Sequence, residues 1–585
     1  MKYKIWHALF YTLYALASFA PTAHAQIMPP VGDLSGNADL RSKQADSAIK
    51  TERSAPVPED KLANFIDKST LRVAVKSFVF EGNSAISSDE LSGIVAAKLN
   101  QQLTFAGLEE VVDRITRHYR AKGFAVARAY LPPQKFDGGK LKIVVIEGRF
   151  DRIIIANDTP VSNQFLDSII AGGFCNAQKT QSCTGKLIES NGLDRGLLLL
   201  RDLPGFTATA NLKPGEAVGT SLVSVNVKLP KREIYSLSFD NYGQPSTGIA
   251  RLNASLELES YIRDGDELSL SVATTNSAAT KTGGASYSAP FNYYTGQRVG
   301  FAFSRNQYRL GAGFNPLLAH GLSNAISLYT SYPLARGISQ SLYFRAAAEM
   351  RTGVNSLDTA QISSKTNANV VRVGVSGERR DDFGGGAYSA FGVTASQGYA
   401  ATSDAADAGV NGAHSAGRFG KIAYNISRQQ SLTGPVSLYT SVNGQQGNKN
   451  LDGSEQIGLG GPLSVRGYGG EAGGSSGSNG TIELRYSTSA PIGLDVASLT
   501  YAAFIDRGWV RYYQSPISTT VANTRALSSA GLSLTVQSSS KLPAPASTAY
   551  FLRIMLGVHS MNAASQSIVD PTSKGKIWIQ GGASF

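Results

Sequence analysis

The chain has 585 residues, of which 17% are charged, with 61 glycines, 25 tyrosines and 24 phenylalanines. Its length allows two or three domains, and the composition suits twisted, half-exposed sheets. The formal net charge is +12, but the basic residues are scattered and form no Lys/Arg stripe, which argues against nucleic acid as a partner. The opening is of the secretory type: Lys2 and Lys4, an apolar run from Ile5 to Ala20, then Ala23-His24-Ala25. A signal peptide over 1–25 is expected, with Gln26 as the mature start, because the apolar run is short and ends in Pro21. No later apolar run approaches the roughly 18 residues of a spanning helix. Any membrane role therefore falls to strands.

Residues 26–71 are polar, with a short helix expected over Ala38 to Glu52, followed by a linker containing Pro56 and Pro58. A compact module is expected over 72–149. Val73 to Phe80 reads as a strand, and Ser87 with Glu90 as a capping box for a helix whose Leu91, Ile94, Val95 and Leu99 share a face. A second helix carries Leu108, Val111, Val112, Ile115 and Tyr119 and ends at Gly123. Strands Phe124 to Leu131 and Leu141 to Glu147 complete a β-α-α-β-β order. The order recurs over 150–230: strand Phe150 to Ile155, helices Val161 to Ala171 and Lys186 to Arg201, and a hairpin of Phe206 to Leu212 and Leu222 to Leu229. Cys175 and Cys183 fall in the connection between the helices. In an exported chain they are expected to pair with each other in preference to binding metal without further ligands.

From 231 to 585 the pattern becomes strict alternation broken by turns. Tyr235, Leu237 and Phe239 alternate with polar neighbours, as do Leu252, Ala254, Leu256 and Leu258, and later Tyr550, Leu552, Ile554, Leu556 and Val558. There are about sixteen such runs, with one apolar face, Gly/Ser-rich loops and no long intervening helix, which favours an antiparallel transmembrane barrel over a sandwich. The chain stops on a strand whose Ile577 and Ile579 lead to a terminal Phe585. That strand must pair with the first, because an open edge in lipid leaves backbone groups unpaired.

Between two strand-like runs lies Gly458 to Gly474, in which Arg466 stands alone in a bed of glycines. So many glycines let a backbone pack closely against another surface. The plain alternative is a solvated surface loop. Counting by twos along the run before Arg507 places Leu499, Tyr501, Ala503 and Ile505 outward, and Thr500, Ala502, Phe504 and Asp506 inward. Arg466, on a loop over about 446–478, could reach Asp506 with its planar fork across a wet lumen. The alternative is that both charges are solvated. The pair is expected from this parity together with the family resemblance that follows.

With these parts in place, the chain from about Val73 to Phe585 resembles the outer-membrane transporters of two-partner secretion, the haemolysin secretion/activation family within the Omp85 superfamily. The resemblance rests on Val465-Arg466-Gly467-Tyr468, similar to the family's loop motif, and on Phe504, Asp506 and Gly508, similar to its barrel-wall motif. Tyr130-Leu131-Pro132-Pro133-Gln134 and Val145-Ile146-Glu147-Gly148 look like the signature of a first POTRA module, and Leu200 to Gly205 like that of a second, here taken as ShlB-type. The resemblance implies two periplasmic modules, a sixteen-stranded barrel, a loop folded into its lumen and an N-terminal plug helix, for which Ala38 to Glu52 is the candidate. It implies a monomer among outer-membrane lipids that captures an unfolded partner exoprotein and secretes it without ATP. Ile577, Ile579 and Phe585 are similar to the terminal signal read by the barrel-assembly machinery. Client capture by added strands is expected at the edges marked by Val73, Phe80, Phe206 and Leu229. An insertase that assembles other barrels is the alternative, since that branch shares the loop motif.

Signatures of enzyme chemistry are weak. Gly473-Gly474-Ser475-Ser476-Gly477 fits G-x-S-x-G but lacks a strand-to-helix elbow. Every Gly-Lys pair is followed by Leu or Ile, so no P-loop is present. His118, His320, His414 and His559 are too far apart in sequence to suggest a metal set. No catalytic residue, metal or cofactor is expected.

Overall fold

A computed structural model describes residues 72–585 apart from 136–137, 177–181, 278, 410–411, 490–495, 518–521, 539–548 and 560–572. The expected signal peptide and the helix over 38–52 lie outside the described residues.

In the first module, helix Ser88–Val95 starts where the Ser87 hydroxyl accepts from the Glu90 amide at 3.2 Å. The Glu90 carboxylate pairs with His118 at 2.7 Å and Lys122 at 3.0 Å on the next helix, Phe105–Ala121. These bonds, that of Lys122 foremost, hold it below its usual range. The longer helix buries Leu108, Val111, Val112, Ile115 and Tyr119 against the sheet. Strand Lys140–Ile146 is central there, parallel to Ser77–Glu81 and antiparallel to Arg128–Tyr130. The strand expected over 73–80 is split. Val73–Ala74 pairs instead with Gln102–Leu103, and the side chain of Val75 between the two pieces is buried in the core.

The second module repeats the order. Strand Arg149–Asp158 lies parallel to Thr220–Lys228, which pairs antiparallel with Thr207–Pro214. The second helix begins at Ser190, later than expected, because the Lys186 carbonyl accepts from the Phe150 amide and the Ile188 amide donates to Gly148, both extended pairings. Helices Asn163–Cys175 and Ser190–Arg201 approach through glycines: a Cβ on Gly173 would stand 2.2 Å from the Gly196 Cα. Cys175 and Cys183 are joined in a disulfide, with Cys183 inside the module's core.

The second module is seated on one end of the barrel. Arg336 donates twice to Asp202 at 2.7 and 2.9 Å, and the Ser162 hydroxyl donates to Asp264 at 2.7 Å. Phe165 meets Tyr293 edge to face at 4.9 Å. Gly172 lets its helix sit directly on the Tyr294 backbone, which a Cβ would meet at 2.3 Å.

Of the residues expected to mark the client-binding edges, the side chains lie toward the cores. Phe206 is buried in the core of the second module, where Leu229 also packs, while Val73 and Phe80 pack against the core of the first. The cause is strand parity: in Ser77–Glu81 the side chains of Phe78 and Phe80 turn to the helices, so Val79 is the exposed apolar residue. The sheet edges are Ser77–Glu81 and Arg128–Tyr130 in the first module, and Arg149–Asp158 and Thr207–Pro214 in the second.

Sixteen antiparallel strands, from Glu233–Asp240 to Gly575–Ser584, form a closed barrel. Closure runs from Ser236↔Ser584 to Asp240↔Gln580, and Tyr235 and Phe585 exchange two backbone bonds of 2.9 and 3.0 Å. Alternation is as the sequence reads. Tyr501 and Ile505 are exposed outside the wall, whereas Phe504 and Asp506 are buried inside it. Ile577 and Ile579 face outward on the last strand.

Candidate functional site in the barrel lumen

The loop between strands Val436–Gly447 and Ser476–Thr488 folds into the barrel. Its two limbs zip together as Ile457–Leu459 against Ala472–Gly474. The tip turns where Gly460 and Gly461 have φ of +88° and +96°, open to glycine without strain. A Cβ on Gly460 would stand 2.1 Å from the Gly469 oxygen across the turn. Val465 and Tyr468 are fully buried with Leu459, Val510 and Leu527, and the Tyr468 ring stacks on His559 at 4.1 Å. An apolar peg thus seats the tip and fixes the position of the arginine between its two anchoring residues.

Arg466 meets the wall with every face of its guanidinium. Nε and Nη2 donate to the two oxygens of Asp506 at 2.9 and 2.6 Å. Nη1 donates to Glu483 at 2.5 Å, and Nη2 also to the Thr481 hydroxyl at 2.7 Å. The plane lies 3.4 Å over the centroid of the Phe504 ring. The backbone takes part too: the Arg466 amide donates to Asp506 at 3.0 Å, and its carbonyl accepts from the Trp578 indole at 2.7 Å. Two carboxylates against one arginine leave a negative excess, which Arg485 offsets by donating to Glu483 at 2.8 Å.

This differs from the expectation of a wet pair. Asp506 is wholly buried and Arg466 is 7% exposed, so the contact lies in the regime where removing one partner is costly. The glycines of the two motifs make the approach possible. A Cβ on Gly467 would stand 2.7 Å from Ser529, and one on Gly508 2.6 Å from Leu459. Gly557, on the strand before last, has the same role: its Cβ would lie 2.6 Å from the Arg466 carbonyl carbon.

The structure therefore brings together Val465, Arg466, Gly467, Tyr468, Phe504, Asp506 and Gly508. It leaves Ile577, Ile579 and Phe585 outside the lumen, and Cys175 and Cys183 in the second module. Glu483, Ser529 and Trp578 were missed by sequence reasoning. Strand parity is the available signal: Glu483 and Arg485 alternate with Ile482, Leu484 and Tyr486, which are exposed outside the wall, so parity points both inward.

Comparison with known proteins gives the family. A family model described as haemolysin secretion/activation protein ShlB/FhaC/HecB matches residues 219–536, more than half of the chain. The chain belongs to that family. A second model, the POTRA domain of ShlB type, matches 73–148, which is the first module and not the second as expected. The heme/hemopexin transporter protein HuxB of Haemophilus influenzae is 26% identical over 461 residues, 78% of this chain and 79% of that one. The outer membrane transporter CdiB of Dickeya dadantii is 25% identical over 397 residues, covering 66% and 68%. Among solved structures, CdiB from Escherichia coli superposes with a TM-score of 0.70 over 96% of this chain and 100% of that one, at 23% identity. The transporter is thus an outer-membrane protein of two-partner secretion, with POTRA architecture in the periplasm. The family is one of secretion proteins, so the insertase alternative is set aside.

Proposed function

We propose that the transporter takes an unfolded partner exoprotein at the sheet edges of its two periplasmic modules and conducts it outward through the barrel. The second module, matched by neither model over most of its length, is read as a POTRA module on its βααββ order. The observation that carries the reading is the lumen itself: it is filled by a loop held through ion pairs and one apolar peg, all of them reversible. A filler of that kind can be displaced by a chain in transit and can return.

The client is of the large exported β-helical class, in keeping with relatives named as transporters of heme/hemopexin and of haemolysin. It would add a strand to an open module edge such as Thr207–Pro214 or Ser77–Glu81, where backbone bonds give affinity and neighbouring apolar side chains such as Val79 give selectivity. The transporter acts as a monomer in outer-membrane lipid, needs no cofactor and catalyses no reaction. Folding of the client outside the cell supplies the drive. The barrel-assembly machinery would insert it by reading Ile577, Ile579 and Phe585.

The test is co-expression with a candidate large exoprotein from the same genome, followed by assay of the medium. The wild type should release the partner, and a variant lacking residues 73–229 should insert its barrel yet release none. Normal release by that variant would refute capture on the modules.

A further inference from the structure

Arg466 ties down the tip of the infolded loop, but the limb leading to it carries a second charged residue that no motif marks. Glu455 closes a short helical turn, Gly453–Glu455, capped by Asp452, whose side chain accepts from the Ser454 amide at 3.0 Å. The Glu455 side chain is 1% exposed and points away from the Arg466 pocket, into three cations. Lys421 stands 2.8 Å from one oxygen, Arg372 at 3.0 and 3.2 Å from both, and Arg351 at 3.5 Å. The backbone of the same turn is held as well. The Glu455 carbonyl accepts from Lys421 at 2.9 Å and from the Gln445 amide at 2.8 Å, and the Ser454 carbonyl accepts from Arg351 at 2.9 Å.

The two attachments use different arcs of the wall. Arg351, Arg372 and Lys421 stand on the seventh, eighth and tenth strands, 340–357, 362–381 and 417–433. The partners of Arg466 stand on the twelfth, thirteenth and sixteenth strands, 476–488, 496–511 and 575–584. The loop is therefore held at two places on the wall, by a negative foot at Glu455 and a positive one at Arg466. The limb between them lies along the twelfth and thirteenth strands, where a Cβ on Gly477 would stand 3.1 Å from Ile457 and one on Gly508 2.6 Å from Leu459.

We infer that Glu455 is a second positioning residue: it anchors the infolded loop to a second arc of the wall, so that the loop is tied at two places, and its withdrawal uncovers a cationic patch made by Arg351, Arg372 and Lys421. The charge count supports both halves. With Glu455 seated, three cations face two carboxylates, since Glu349 also pairs with Arg351 at 2.5 Å and with Arg372 at 3.7 Å. Without it they face one. Charges removed from water must be matched by partners or by readmitted water and counter-ions. Vacating the foot therefore draws water and anions to that wall, and a ring of fixed cations biases a pore toward anions. A passing chain would meet this patch only once the loop had left it.

The inference rests on the secretion reading for its purpose, but its test uses ion flow through the purified full-length transporter in planar bilayers and needs no client. Failure of client secretion and failure of the anchor are thus separate results. Glu455→Gln keeps the shape and removes the charge. Channels of this variant should conduct more than wild type, and their reversal potential in a salt gradient should shift toward that of the anion. Glu455→Asp should restore part of both. Glu455→Gln with Arg372→Gln should bring the selectivity back toward wild type, because the charge balance is restored, while the conductance stays high, because the tether is still missing. Combining Glu455→Gln with Arg466→Ala should open the channel further than either change alone. If Glu455→Gln does not insert, Lys421→Met and Arg372→Gln, measured singly, should each raise conductance. Wild-type conductance and selectivity in Glu455→Gln, or in both single variants, would overturn the inference. So would a double variant no more open than Arg466→Ala.

Discussion

The second module and the barrel lumen solve the problem of an interior in opposite ways. The module closes on apolar side chains: Phe150 and Phe174 stacked at 6.2 Å, with Leu166, Ile170 and Val225 fully buried around them. The lumen is packed with charge, and its filler is a segment of chain whose position depends on Arg466, Asp506 and Glu483. Apolar packing is non-directional and tolerates small changes of shape. A buried ion pair is directional and is lost when one partner goes. On the proposed function the difference suits a division of labour: a module that stays folded while handling a client, and a filler that holds one place and then lets go of it.

The comparison can be broken most strongly at Arg466. Arg466→Lys keeps the charge but loses the bidentate bond to Asp506 and the stack on Phe504. If direction matters as argued, secretion by this variant should fall nearly as far as in Arg466→Ala, although the barrel still shows the heat-dependent mobility shift of a folded one. Breaking such a buried pair costs about 3–5 kcal/mol. Near-normal secretion with lysine would mean that charge alone suffices.

Leu166→Ala probes the other side. Its cost should be about 2–5 kcal/mol, felt by the module in chemical denaturation, with the barrel's mobility shift unchanged. Replacing Cys175 and Cys183 by serine should cost less, about 2–3 kcal/mol for so small a loop, and secretion should fall only in part. Alkylation and mass spectrometry of protein from the native envelope should find neither thiol free. At the junction of the two regions, Asp202→Asn removes a partly exposed pair with Arg336, so about 0–1 kcal/mol is expected. A large loss of secretion there would show that seating of the module matters more than its contacts imply.

The smallest effect is a pH dependence in the first module. Glu90 is held below its ordinary value by hydrogen bonds from Lys122 and His118. A depressed carboxylate contributes stability that is complete above its unfolded value and is lost as pH falls through its folded one. The denaturation midpoints of wild type and Glu90→Gln should therefore converge as pH falls through the ordinary glutamate range and below it.

Much of this was legible in the residues. Period-two alternation gave the barrel and put Asp506 inside, and the 3.6-residue pattern gave the helices, because both are local consequences of backbone geometry. The motif residues 465–468 and 504–508 were found through their glycines, and the structure places those glycines where backbones touch. Long-range pairings were not legible. Glu455 sits in Asp452-Gly453-Ser454-Glu455, which reads as a solvated turn, and its partners Arg351, Arg372 and Lys421 lie up to 104 residues away with no shared spacing. The seating of the second module depends on Gly172 and on turns around 264, 294 and 336, whose meeting only the folded chain shows. That the Phe80 and Phe206 side chains serve the cores was not legible, because an edge strand has two faces and the larger apolar side chains take the inner one.

The most direct test of whether the Arg466–Asp506 contact holds the loop for transport is a cycle of secretion measurements on Arg466→Ala, Asp506→Ala and the double variant, each normalised to the amount of folded barrel in the outer membrane. If the two residues act as one device, either change removes it, and the double variant should secrete about as poorly as the single ones. Defects that multiply, or normal secretion by Arg466→Ala, would contradict the account.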